Sequence, residues 1–137
     1  MTTRREWIST AVMAAVAVGA VVVFKPFGGP ATAGEQVGYE QVVAGLETAK
    51  MLLVDVREVN EFTEGHIPGS INRPLSTFQP GALPAPEGKQ VVITCRSGRR
   101  AAQALAAVEA TGRRDVAIYT GSMNDWVARK GAVATGP

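Results

Sequence analysis

Residues 90–100, Gln-Val-Val-Ile-Thr-Cys-Arg-Ser-Gly-Arg-Arg, constrain the fold most, because a β-branched run passes into a helical pattern with only a tight turn between them. Val91, Val92 and Ile93 are consecutive and apolar, the pattern of a strand covered on both faces in a parallel sheet. From Arg99 to Thr111 helix formers take over, with Ala101, Leu105 and Val108 on one side and Gly112 placed to cap the end. A strand joined this directly to a helix leaves the amides of the turn without backbone partners, able to converge on one point. Cys95, the chain's only cysteine, stands at that point. The amides, the positive end of the helix, and Arg96, Arg99 and Arg100 would together favour a thiolate and hold an anion bonded to its sulfur. The chemistry expected is nucleophilic attack by sulfur. The alternative, a small apolar residue buried at a strand end, leaves three arginines and a glycine within the next five residues unexplained.

The rest of the chain repeats the alternation. Residues 39–47 read as a short helix with Tyr39, Val42, Val43 and Leu46 inward, and residues 51–56 as a buried strand whose apolar run ends in Asp55. Residues 60–65 read as a helical turn, 70–72 as a minor strand, and 115–119 as a further strand. Residues 121–130 read as a closing helix, capped by Ser122 or Asn124 and ended by Gly131. Residues 77–88 carry so many prolines and glycines that they are assigned to loop. Strands alternating with helices at this spacing predict an α/β fold over residues 38–137: a single domain with a small, mainly parallel sheet flanked by helices. Ligands of such sheets collect beyond the carboxyl ends of the strands, where Asp55, Arg57 and Cys95 all fall. Asp55 and Arg57 read as a structural pair fixing loops by hydrogen bonds. His66, in Gly65-His66-Ile67-Pro68-Gly69, reads as a packed turn residue, with assistance to proton transfer as the rival role. Phe62, Tyr119, Met123 and Trp126 read as core.

Before the domain, residues 8–24 contain no charge and follow Arg4 and Arg5. Residues 1–25 therefore read as a membrane anchor or a signal peptide, and 26–37, rich in Gly and Pro, as a flexible linker. A retained anchor would hold the domain on the extracytoplasmic, periplasmic side of the cell membrane; cleavage near Ala33 would release it to the periplasm. Arg4, Arg5 and Lys25 flank the apolar segment, and from Gly34 onward acidic and basic residues are equal in number. The net charge of +2 is therefore no nucleic-acid signal. One cysteine forms no internal disulfide, and one His with one Cys makes no zinc set.

Residues 53–62 (Leu-Val-Asp-Val-Arg-Glu-Val-Asn-Glu-Phe), 65–72 (Gly-His-Ile-Pro-Gly-Ser-Ile-Asn), 92–100 and 121–126 (Gly-Ser-Met-Asn-Asp-Trp) together resemble the rhodanese, or sulfurtransferase, domain. The resemblance frames nearly everything from Tyr39 to Ala132. It implies that Cys95 is the sulfur-accepting cysteine and becomes a persulfide, that Arg96, Ser97, Gly98, Arg99 and Arg100 complete a substrate-binding loop, and that Asp55 and Arg57 are the family's structural pair. The partners implied are a small anionic donor such as thiosulfate and a thiophilic acceptor such as cyanide, a thiol or a protein thiol; no metal or organic cofactor is called for. Arg99 departs from the commonest form of the loop, where many relatives have an uncharged residue. Cysteine phosphatases and arsenate reductases also use a cysteine in an anion-binding loop, but theirs typically place an arginine six positions later, where this chain has Ala101. A sulfane-sulfur carrier without turnover, or a docking module, is the remaining alternative.

Overall fold

The computed structural model describes Thr32 and residues 34–137, so the apolar segment at 8–24 and most of the expected linker lie outside the described residues. Four strands form one parallel sheet: β1 (Met51–Asp55), β2 (Ile71–Asn72), β3 (Gln90–Thr94) and β4 (Val116–Ile118), in the order β2-β1-β3-β4. Among the described residues four helices surround it: α1 (Tyr39–Glu47), α2 (Val59–Glu64), α3 (Arg99–Ala110) and α4 (Ser122–Ala128). Among the described residues no helix is long and apolar enough to cross a membrane.

The continuous apolar runs of β1 and β3 follow from their central positions. Met51 pairs with Gln90 and Asp55 with Thr94, so the two strands end level. Alternate side chains point to opposite faces. On one face Val54, Val56, Val91 and Ile93 meet Ala101, Ala104, Leu105 and Val108 of α3, with Leu83 completing the cluster. On the other, Leu53, Val92 and Ala117 meet Val42 of α1 and Met123 and Trp126 of α4. Gly112 takes φ +92° just past α3, where an L side chain would be strained.

Three features depart from the sequence expectation or add to it. A 3-10 turn, Leu75–Thr77, leads into the breaker-rich loop, and a second, Pro80–Ala82, lies within it just before the buried Leu83. Residues 35–37, assigned to the linker, pair with β4: Val37 N–H donates to Ile118 O and Ile118 N–H to Glu35 O, each at 2.9 Å. Burial of Val37 under α1 and α4 holds them there. The predicted side-chain cap of α4 is also absent. Asn124 lies inside the helix, and Ser122 turns inward with φ +54°, its hydroxyl donating to Tyr119 O at 2.8 Å.

Candidate active site

β3 delivers Cys95 to the carboxyl edge of the sheet, and the chain then turns into α3 within three residues. Gly98 makes this possible: it adopts φ +93°, and a Cβ there would lie 2.5 Å from Thr120 O. The turn folds back so that Gly98 N–H points at Cys95 Sγ, 3.1 Å away. Helical bonding begins only with Ala102 N–H to Gly98 O, so the amides of Arg99, Arg100 and Ala101 precede the first intrahelical bond. They form the positive end of α3 beside the sulfur.

The opposite wall of the loop comes from the start of α4. Cys95 N–H donates to Ser122 Oγ at 3.1 Å, Met123 N–H to Cys95 O at 3.0 Å, and Asn124 N–H to Arg96 O at 2.9 Å. Ser122 Oγ lies 3.9 Å from Sγ, but its hydroxyl proton is directed to Tyr119 O. The positive φ of Ser122 is thus the geometry that lets one hydroxyl serve both the cysteine backbone and the residue that follows β4. The thiol itself is buried, with Cys95 only 1% exposed. Beside the loop a cavity of about 440 Å³ is lined by Arg57, Arg96, Met123, Asn124 and Val127.

The loop's cations are not equivalent. Arg100 grips Glu61 of α2 with both guanidinium ends, at 2.6 and 2.9 Å, while Arg96 Nε reaches the same carboxylate at 3.4 Å. The Arg100 hydrogen bonds, outweighing partial burial, hold the Glu61 carboxyl down at about 2, and Glu61 in turn raises Arg100. Arg99 and Ser97 are exposed, and among the described residues Arg99 has no ionic partner.

Asp55 and Arg57 support the site from below. Arg57 donates from its backbone amide, Nε and Nη2 to the Asp55 carboxylate at 2.8–3.1 Å, and from Nη2 to Gly65 O at 2.7 Å. The Asn72 amide bonds the carbonyls of Asp55 and Arg57. All of this is local scaffolding at the ends of β1 and β2, although Arg57 also lines the cavity. His66 stacks on Phe62 at 3.8 Å, bonds Phe62 O through Nδ1 at 2.8 Å and exchanges backbone bonds with Ala134. Its described contacts are with α2 and the segment at Ala134, not with the cysteine loop.

Two contributors carry no local mark of their role in the sequence. Ser122 reads there as a helix cap, because its left-handed backbone has no local signature. Glu61 sits in a short helix with nothing adjacent to mark it, yet three arginines after one cysteine call for a counter-ion from elsewhere in the chain, and that was the available signal.

The rhodanese-like domain profile matches residues 39–129. The chain belongs to the rhodanese-like family. It is 34% identical over 102 residues to the thiosulfate:glutathione sulfurtransferase of Saccharomyces cerevisiae, a match covering 65% of this chain and 73% of that protein. The crystal structure of the single-domain sulfurtransferase RDL2 from the same yeast superposes with a TM-score of 0.61 at 32% identity, covering 77% of this chain and 97% of that one. A Bacillus subtilis protein named as a putative sulfur carrier is 32% identical over 77 residues, and the match spans only 42% of its length. The family and its sulfurtransferase relatives make this a rhodanese-type enzyme. In this rhodanese-like domain a buried sulfur accepts from the Gly98 amide beside the start of α3 and under a cationic rim, an arrangement that can hold an anion covalently attached to the sulfur.

Proposed function

We propose that the protein transfers sulfane sulfur from a donor such as thiosulfate to a thiophilic acceptor, cyanide or a thiol, through a persulfide on Cys95. The observation that carries this reading is the Gly98 N–H directed at Sγ at 3.1 Å, at the mouth of a turn whose next amides are outside the helical ladder. In the first step the Cys95 thiolate attacks the outer sulfur of thiosulfate; a new S–S bond forms, the bond to the sulfonate sulfur breaks, and its electron pair leaves with sulfite. The outer sulfur, now carrying the negative charge, lies toward the amides of Arg99, Arg100 and Ala101. In the second step cyanide or a thiolate attacks that sulfur, and the S–S electron pair returns to Cys95. The name of the yeast thiosulfate:glutathione relative supports a thiol as acceptor.

Incubation with thiosulfate should add one sulfur to the intact mass, and cyanide should remove it as thiocyanate over many turnovers. Absence of the adduct overturns the reading. Adduct formation with negligible turnover selects a carrier, the reading favoured by the Bacillus relative's name. Hydrolysis of an aryl phosphate without an adduct selects a phosphatase. We further propose that residues 1–25 place the domain on the extracytoplasmic side, on an anchor, because 8–24 is uncharged behind Arg4 and Arg5. Fractionation as a soluble cytoplasmic protein retaining Met1 or Thr2 overturns that placement; a soluble periplasmic species starting at Gly34 selects cleavage.

A further inference from the structure

Three arginines follow the nucleophile, but only one of them is uncommitted among the described residues. Glu61 reaches across from α2 to Arg100 at the start of α3 and to Arg96 on the other side of the loop. Its side chain is 18% exposed, so the carboxylate sits at the rim of the site. Arg100 lies within the electrostatic reach of the Cys95 sulfur as well as of Glu61, so the charges of the pair and of the nucleophile act in one region. Arg96 and Arg100 share one negative charge, and Arg99 projects into solvent without a partner among the described residues.

Resting on the sulfurtransfer reading above, we propose that Glu61 is a specificity-determining residue: it lowers the positive charge at the mouth, so that the site discriminates against dianionic donors and favours singly charged sulfane sulfur such as a persulfide or thiosulfonate. The groove beside the loop adds a place for the organic part of such a donor, because Met123 and Val127 line it together with Arg96. With a thiosulfonate the balance is that of thiosulfate: the thiolate takes the outer sulfur, the S–S bond breaks, and a sulfinate leaves with the electron pair.

The test compares thiosulfate with benzenethiosulfonate, two donors of unequal charge, in the wild type, Glu61→Gln and Glu61→Ala, with Glu61→Asp as the charge-preserving control. An electrostatic effect scales with donor charge, so both neutral variants should lower KM by about tenfold for thiosulfate and about threefold for benzenethiosulfonate, with kcat little changed. The difference should shrink at high salt, and Glu61→Asp should keep the wild-type preference. Equal shifts for the two donors, or a fall in kcat for both, overturn the proposal and leave Glu61 a structural tether. Two neutral variants guard against one failing to fold. Calorimetric binding of the same two anions to Cys95→Ser and to Cys95→Ser/Glu61→Gln reads the charge effect without turnover. If the wild type makes no persulfide, the sulfurtransfer reading fails alone; equal calorimetric affinities with and without Glu61 sink the selectivity claim alone.

Discussion

Cys95 combines near-complete burial with an amide aimed at its sulfur, so the proposed persulfide chemistry is tested most directly at this residue. Cys95→Ser should fold with a denaturation midpoint close to that of the wild type, since the oxygen is small and can accept from Gly98 N–H. It should show no sulfur adduct and no thiocyanate production, because a hydroxyl remains protonated near neutral pH. Sustained turnover by the folded variant would remove Cys95 from the mechanism, as the chain has no second cysteine. The arginines now separate. Arg99, exposed and unpartnered among the described residues, is the arginine expected to steer an anionic donor, whereas Arg96 is partly compensated by Glu61. Arg99→Ala should therefore reduce kcat/KM for thiosulfate by about threefold at low salt, more than Arg96→Ala, and by little at high salt. Steady-state rates across an ionic-strength series check this; equal losses with an uncharged donor, at every salt concentration, argue against steering.

The bond between Glu61 and Arg100 joins α2 to α3, and it should make the fold sensitive to acid. Glu61 has its carboxyl lowered from 4.5 to about 2 in the folded protein, chiefly by the hydrogen bonds from Arg100. A depressed carboxyl contributes its stability above the unfolded value and loses it as pH falls toward the folded one. Stability should therefore decline from about pH 4.5 down to about pH 2, and Asp115 and Asp125, also lowered by their hydrogen-bonded partners, add in the same direction. Urea midpoints measured at pH 7 and pH 3 should differ less in Glu61→Gln than in the wild type; an unchanged difference removes Glu61 from the acid response. This tie also marks the boundary of what was legible in the sequence. β1, β3, α3 and the cysteine turn could be read because each is written in a local run: Leu52 to Val54, Val91 to Ile93, the alanine-rich stretch, then Cys-Arg-Ser-Gly. The carboxylate of Glu61, the inward turn of Ser122 and the pairing of Gln36 with Ile118 could not, since each depends on a partner brought near only by the finished fold.

Across the whole molecule, the segments bordering the domain are fastened to distant elements. Gln36 bridges Ile118 at the outer side of β4, while Ala134 exchanges two backbone bonds with His66 at 2.9 Å and Gly136 N–H donates to Thr63 O at 2.9 Å. Removing residues 133–137 severs the latter set, and should cost about 1–3 kcal/mol, read as a lower urea midpoint. Persulfide formation should survive, since those bonds end on α2 and the His66 turn and not on the cysteine loop. The same fastening sets an order of events during synthesis. Glu35 and Val37 leave the ribosome long before β4, their hydrogen-bonding partner, exists, and the His66 turn waits similarly for Ala134. Contacts between such distant positions form late, after the intervening chain has closed a long loop. A nascent chain threaded through a narrow channel therefore remains unlocked until residues 116–136 have emerged, and then closes at both margins of the domain.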